Sequence, residues 1–513
     1  MSHGRHVTML TEGTYPHVHG GVSTWCDQLV RGMPEVDFNV IALTGSGREP
    51  VTWELPRNVY RHTAVPLWGP APARKLRSGL RGKAQRRFAE TYETFLLSLL
   101  DPAPDPARGF SEALRELALL ARAGKLAPAL RSESVLRLLM TVWTRPGLPT
   151  ADAEPTIHDA LTATDLLEHA LRPLSVRIPP DSVAHSVSSG LATLPALAAK
   201  YLDEVPFLLT EHGIYLRERY LGYRSGAEQR WPVKALMLGF YRELNTEGYR
   251  QADLITPCNQ YNRRWEERGG ADAERIRTVY NGVDTLAFPE AGPEPEVPTL
   301  SWCGRIDPIK DLETLIRAYA FMREELPALR LRLFGPVPEG CQDYKLTLEK
   351  LAAELGVGDG ITYEGRIGDV ARAYAAGSVV MLSSISEGFP FSIIEAMSCG
   401  RTTVSTDVGG VREAVGDTGL VVPPREPETM ARATLALLRD DARRAELGRM
   451  SRERVVEKFT LHQSVDGFRH IYRELAHQKH AGQPVLPVHV GGEWTQRLAD
   501  PWYKELAADG SLW

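Results

Sequence analysis

Cysteine is scarce in this chain of 513 residues: Cys26, Cys258, Cys303, Cys341 and Cys399, odd in number, scattered, and with no CxxC pair. That pattern gives neither a disulfide framework nor a zinc spacing, and it fits a reducing compartment. No stretch approaches the ~18 uninterrupted apolar residues of a membrane span. The start, Met1-Ser2-His3-Gly4-Arg5-His6, lacks an apolar signal region. A soluble, cytoplasmic protein is expected, with a peripheral place at the inner face of the membrane as a further option. A basic excess is also missing: Lys plus Arg is 60 against 65 Asp plus Glu, a formal net charge of −5, so no nucleic-acid partner is expected. Neither the Gly20-Gly21 loop nor Gly45-Ser46-Gly47 completes G-x-G-x-x-G, which leaves a dinucleotide-dependent dehydrogenase poorly supported.

What is present is ordinary globular composition, 43% hydrophobic and 24% charged. At about 150 residues per domain the length suggests two to three domains. Short apolar runs alternate with amphipathic helical patterns, the mark of parallel α/β domains. Strands are predicted at Val7–Leu10, Phe38–Leu43, Ser182–Val187, Pro206–Thr210, Leu254–Thr256 and Ile276–Tyr280. After the first, Val22, Trp25, Leu29, Val30 and Met33 share one helical face. The Ala-, Leu- and Arg-rich stretch 69–180 breaks the rhythm and reads as a helical insertion, with a Pro-rich turn at Asp101–Pro106. Phe288–Pro298 (FPEAGPEPEVP) cannot form a regular element and reads as a linker between a domain over 1–290 and another over 299–458. The second series has strands at Thr299–Cys303, Leu329–Phe334, Ile361–Tyr363, Ser378–Ser383, Thr402–Ser405 and Leu420–Val422. Helical patterns continue to about Gln478, and a tail carries Trp494, Trp502, Tyr503 and Trp513. Two such domains are expected to face one another across a cleft at their strand ends, where ligands of open sheets bind.

The most specific chemistry lies in Ser386-Glu387-Gly388-Phe389-Pro390-Phe391-Ser392-Ile393-Ile394-Glu395-Ala396-Met397. A strand feeds a loop carrying Glu387, a helix starts near Pro390, and Gly400 closes it. Free N–H groups at Phe391, Ser392 and Ile393 would then cradle a phosphate with the helix dipole behind them. Glu395, about one turn in, can reach a ribose hydroxyl pair, and Glu387 can accept hydrogen bonds from a sugar.

Two glutamates in this setting, SEGFPFSIIEAMSCG, resemble the signature of family 4 retaining glycosyltransferases of the GT-B fold. The resemblance implies that Glu395 binds the nucleotide ribose and Glu387 the donor sugar. Cys303-Gly304-Arg305-Ile306-Asp307-Pro308-Ile309-Lys310 then looks like the loop whose basic pair, Arg305 and Lys310, neutralises the donor diphosphate. Cations aimed at a departing diphosphate stabilise its growing charge, and with no convincing Asp-x-Asp motif present no metal or other cofactor is expected. The loop Thr11–Ser23, with Gly20 and Gly21 before a helix, resembles the family's glycine loop, which lies across the cleft from the donor phosphates and would add backbone donors to the donor site. His185 and His212 sit where strands are expected to end, positions at which the family often carries a cleft histidine, and His212 is the stronger candidate. Glu413, in Asp407–Glu413, resembles the loop that closes the donor site, or is a helix-start acid. Asn281-Gly282-Val283-Asp284 reads as a turn.

Within the family, Thr11-Glu12-Gly13-Thr14-Tyr15-Pro16 with His19-Gly20-Gly21-Val22-Ser23, and Thr210-Glu211-His212-Gly213-Ile214-Tyr215 with Arg217-Glu218-Arg219, resemble the PelF-type subgroup, which uses UDP-sugars and is associated with a cationic exopolysaccharide. The expectation is a retaining hexosyltransferase using UDP-glucose or UDP-GlcNAc on a glycan or small-molecule acceptor, alone or beside a membrane-bound synthase. The alternatives are a nucleotide-sugar 2-epimerase, a transferase with an inositol-phosphate-type acceptor, and a non-catalytic donor-binding subunit.

Overall fold

The computed structural model describes residues 6–69, 80–100, 106–145, 154–225 and 229–480. The chain divides into two compact units: Met1–Pro257 with Arg263–Thr278 and Arg469–Trp513, and Cys258–Asn262 with Val279–Phe468. The aromatic tail and most of the Asp101–Pro106 turn lie outside the described residues.

The first unit holds β1 (His6–Glu12), β2 (Asp37–Thr44), β3 (Val59–Pro66), β4 (Val183–Ser186), β5 (Phe207–Glu211) and β6 (Leu254–Pro257). They form one parallel sheet in the order β3-β2-β1-β4-β5-β6. Central parallel strands are covered on both faces, so they read as continuous apolar runs, and β4 and β5 are buried throughout. β3 went unnoticed in the sequence because it is an edge strand: Tyr60 and Arg61 are exposed, and no clean alternation marks it. The strand expected at Ile276–Tyr280 does not form; a single bridge, Ile255 to Ile276, is all that pairs there.

Between β3 and β4 run the helices Lys83–Leu100, Pro106–Arg122, Leu126–Leu130, Glu133–Trp143 and Ile157–Leu171. Phe88, Tyr92, Phe95 and Phe110 stack in series, with ring centroids 5.6–5.8 Å apart, and join the core of the first sheet. The helix Ile157–Leu171 starts at a capping box in which Thr156 and Asp159 satisfy each other's backbone N–H.

The second unit holds β7 (Thr299–Cys303), β8 (Arg330–Phe334), β9 (Ile361–Gly365), β10 (Val379–Leu382), β11 (Thr402–Thr406) and β12 (Leu420–Val422). They are parallel, in the order β12-β11-β10-β7-β8-β9. Phe288–Pro298 is irregular and packs within this unit: Ala291 N donates to Cys399 O, and Glu294 pairs with the buried Arg444.

Both sheets have the doubly wound order in which chain direction reverses once. The reversal falls between β1 and β4 in the first and between β7 and β10 in the second. At such a switch point the loops leave in opposite directions and open a crevice beyond the strand C-termini. Among the described residues no helix is long and apolar enough to cross a membrane.

Candidate functional site

The crevice of the second sheet is bounded by the segments that follow β7 and β10. After β7, Asp307 accepts from Ile309 N at 3.0 Å, which tightens a turn that places Lys310 beside β10. Ile385 N donates to Ile309 O at 3.0 Å and Ser383 Oγ to Lys310 O at 2.8 Å, so the two segments are joined through backbone. Lys310 Nζ then meets Glu387 Oε1 at 2.6 Å, and Ser384 Oγ donates to the same oxygen at 2.5 Å. Lys310 and Glu387 are thus a partly buried ion pair, with side chains 20% and 11% exposed. Arg305 stands exposed and, among the described residues, has no carboxylate partner. One cation is therefore held and one is open to an incoming anion.

Glu387 needs its loop held in place, and a glycine pair does this. Gly410 N donates to Gly388 O at 2.7 Å. Gly409 has φ +55°, and a Cβ there would lie 1.8 Å from Glu387 O, so no other residue fits.

The helix Phe391–Ser398 starts at Pro390 with no side-chain cap and no acid in its first turn. Phe391 N–H and Ser392 N–H have no partner among the described residues, and both residues are half-buried. Ile393 departs from the expectation of three free donors: its N–H turns back to Pro390 O at 3.2 Å, because a tight first turn satisfies it internally. Two donors remain. Gly400, at φ +70°, ends the helix. Glu395 sits one turn in, where Tyr374 Oη donates to Oε2 at 2.5 Å. Burial raises its carboxyl to about 7, partly offset by the Tyr374 hydrogen bond. Tyr374 and Ser384 went unrecognised in the sequence. Ser384 stands two residues before the motif, whereas Tyr374, on the separate helix Ala371–Ala375, leaves no signal.

Glu413 is engaged elsewhere. Its two oxygens accept Gln260 N and Tyr261 N, each at 2.7 Å, so it caps the start of the helix Gln260–Arg268. Asn281 supports the motif through Nδ2, which donates to Phe389 O at 3.1 Å.

In the first unit, Gly20 is extended and Gly21 opens the helix Gly21–Gly32, which has no side-chain cap and no first-turn acid. Trp25, on that helix, meets the rings of His185 at 5.7 Å and His212 at 4.6 Å, both edge-on. His185 is a structural residue: it is fully buried, with Nδ1 on Tyr472 Oη and Nε2 on Thr210 Oγ1, each at 2.7 Å. Burial lowers it to about 3, so it stays neutral and has no ring nitrogen left for a ligand. His212 is half-buried, and burial lowers it to about 4. A base that weak at neutral pH suits hydrogen bonding better than proton abstraction.

A second group of this unit joins residues that the sequence marks only as parts of motifs, with no individual role. Glu12, closing β1, accepts Leu191 N at 2.8 Å and Tyr215 Oη at 2.7 Å, and lies 3.6 Å from Arg219. It clamps the segments after β4 and β5 to the end of β1, at the switch point of the first sheet. Asp165, Glu168 and His169 lie close enough together to share a cation, but Glu168 already pairs with Arg131 and Arg172.

Comparison with known proteins gives two matches to families. Residues 5–274 match the Domain of unknown function (DUF3492), and residues 297–440 match Glycosyl transferases group 1. D-inositol 3-phosphate glycosyltransferases of Saccharomonospora viridis and Rhodococcus jostii are 34% and 31% identical over 222 and 252 residues, 40% and 45% of this chain. The chain spans about half the length of these curated relatives, 51% and 55%. Sucrose-phosphate synthase of Thermosynechococcus elongatus superposes with a TM-score of 0.58 at 20% identity, covering 91% of this chain and 99% of that one. Anabaena HepE in complex with UDP and glucose gives 0.58 at 15% identity, with the same coverage. These likenesses show the GT-B fold, two Rossmann-like domains. The chain belongs to the family described as Domain of unknown function (DUF3492), here followed by a Glycosyl transferases group 1 domain.

Proposed function

We propose that this chain is a retaining hexosyltransferase that takes its sugar from a nucleoside diphosphate, with UDP-glucose or UDP-GlcNAc the favoured donors. The observation that carries the reading is the Lys310–Glu387 pair at the switch point of the second sheet, with Arg305 exposed on the same segment after β7 and, among the described residues, without a carboxylate partner. Arg305 binds the diphosphate through its planar fork. Lys310 releases Glu387 towards the sugar hydroxyls and turns to the leaving phosphate, whose charge grows as the glycosidic bond breaks. The N–H groups of Phe391 and Ser392 add neutral donors at a helix N-terminus. Glu395 in its ionised form accepts the two ribose hydroxyls. No nucleophilic carboxylate is assigned; the acceptor attacks on the face the diphosphate leaves. Two protein cations supply the positive charge, so the reaction is proposed to need no metal.

The motif around Glu387 and Glu395 supports the family 4 assignment, and the Thr11–Pro16 and Thr210–Tyr215 motifs support the PelF-like subgroup and a glycan acceptor in exopolysaccharide synthesis, with a membrane-bound synthase as proposed partner; the scattered cysteines favour a cytoplasmic or membrane-peripheral location. The names of the curated relatives favour a second reading, a small phosphorylated acceptor. Calorimetric titration with UDP, ADP, GDP and then UDP-sugars, without added metal, tests the donor. Selective UDP binding that Arg305→Ala weakens is expected. Binding of no nucleotide would sink the transferase reading.

A further inference from the structure

Two histidines of the first unit have no place in the transfer reaction. His17, in the loop after β1, and His62, the fourth residue of the edge strand β3, lie together with ring centroids 5.1 Å apart and planes 51° apart. His17 is 5% exposed, and its Nδ1 meets Pro50 O at 3.1 Å. A carbonyl only accepts, so Nδ1 carries the proton and Nε2 keeps its lone pair. That Nε2 is buried and has no hydrogen-bond partner among the described residues, and the same holds for the buried Nε2 of His62. Buried polar atoms are nearly always bonded, so two such nitrogens on neighbouring rings call for a partner they share. His62 stands opposite Val40 in the register of β3 on β2, which sets the pair along the edge of the sheet and not in the crevice beyond its strand ends.

The chemistry of that partner follows from the rings. An imidazole whose Nδ1–H is held by a backbone carbonyl and whose Nε2 is bare is in the form that binds a metal. Two imidazoles sharing one tetrahedral ion through Nε2, at ~2.0–2.1 Å each, have ring centroids about 5 Å apart. The observed separation is of that size. Burial, and after it the His17 ring, lowers the His62 imidazole from its ordinary value, which favours the neutral form that a metal requires. Nitrogen ligands suit Zn2+, Ni2+ and Cu2+, whereas Mg2+ and Ca2+ seek oxygen. The backbone around His17 is already fixed. Thr52 N donates to Pro16 O at 2.9 Å, Thr52 Oγ1 to His17 O at 3.0 Å and Trp53 Nε1 to Val18 O at 3.2 Å. An ion binding there would find one ligand in place and meet little ordering cost.

We infer that His17 and His62 bind one divalent transition-metal ion of the zinc class through their Nε2 atoms, as a structural tie between the loop after β1 and the edge of the sheet. The inference stands apart from the transferase reading, and the ion takes no part in the donor chemistry. The test strips the full chain with a chelator, dialyses it against Zn2+ and measures the metal retained. About one zinc per chain is expected, bound at micromolar concentration or below and not displaced by Mg2+. His17→Gln and His62→Gln should each weaken binding at least about tenfold. His169→Gln and His462→Gln, at other places where a histidine meets a carboxylate, should leave it unchanged. Zinc should raise the melting temperature of the wild type by several degrees and that of neither His17→Gln nor His62→Gln. Loading the wild type with Co2+ needs no variant and decides the matter if a variant fails to fold: the strong d–d absorption of a four-coordinate ion is expected. No retained zinc, wild-type retention in either His17→Gln or His62→Gln, loss of the zinc in His169→Gln or His462→Gln, or the weak absorption of six-coordinate cobalt each overturns the inference.

Discussion

Glu395 carries opposing demands from stability and binding, and Glu395→Gln separates them. Burial moves its carboxyl from an ordinary 4.5 to about 7, so the folded chain holds a proton that the unfolded chain releases between those values. Over that window the native state binds more protons, and stability therefore falls as pH rises from about 4.5 to about 7, then levels off. A difference of roughly 2.5 in pKa, at about 1.4 kcal/mol each, makes the ionised carboxylate cost up to about 3 kcal/mol at pH 8. Glutamine fills the same space, still accepts from Tyr374, and carries no charge. Glu395→Gln should therefore melt at the wild-type temperature at pH 4.5 and several degrees higher at pH 8. The same variant should bind UDP at least about tenfold more weakly at pH 8, the loss expected for charge-assisted hydrogen bonds worth ~1.5–3 kcal/mol. Wild-type affinity for UDP should rise with pH through about 7. Scanning calorimetry at the two pH values and isothermal titration with UDP read both effects. Equal stabilisation at pH 4.5 and pH 8, or unchanged UDP affinity, would refute the reasoning.

Arg305→Ala and Lys310→Ala should each lower turnover about 10²–10³-fold with a smaller change in donor KM, and wild-type turnover in both would remove the leaving-group assignment. Lys310→Ala and Glu387→Ala should be strongly non-additive in a double-mutant cycle of UDP-sugar turnover, because the two side chains meet at 2.6 Å; additive effects would show that the pair does not act as a unit. Gly409→Ala forces a Cβ into the carbonyl of Glu387, so UDP binding should fall more than about tenfold while His212→Gln, in the other unit, leaves it unchanged. His212 lies at about 4 when folded against 6.5 when unfolded, so its contribution is present above pH 6.5 and lost as pH falls towards 4. His212→Gln should flatten the rise in melting temperature between pH 5 and pH 7, where the neutral imidazole costs about 2 kcal/mol at the lower pH; an unaltered slope counts against its buried neutral state.

Much of the second unit was readable from residue pattern because its strands are short apolar runs set between amphipathic helices. Thr299–Cys303 and Leu420–Val422 match the expected strands end to end. Elsewhere, burial decided matters that local pattern does not contain. β3 is an edge strand whose exposed Tyr60 and Arg61 hide its pairing with β2. Ile276–Tyr280 meets the edge strand β6 only through the Ile255–Ile276 bridge, so no strand forms there. His185 lies near the C-terminal end of β4, where a cleft histidine is expected, but Tyr472, 287 residues away, occupies its Nδ1. Glu413 caps a helix that starts 153 residues upstream.

The sequence by itself determined the α/β alternation, the helical character of the stretch before β4, and the motif that carries Glu387 and Glu395. These depend on periodicity and on glycine and proline positions, which act over a few residues. Only the tertiary structure decided that Lys310 meets Glu387, that Tyr374 reaches Glu395, and that Glu12 clamps Tyr215. Each of these contacts closes a loop of tens to hundreds of residues, and the parallel strand order, set by crossover connections, brings such distant strand ends together. A cavity of about 400 Å3 in the first unit, with Trp68, His169, Arg219 and Tyr241 in its wall, belongs to the same class. Trp68, His169, Arg219 and Tyr241 have no shared period in the chain, and they meet because the sheet's reversal leaves space that the inserted helices wall in.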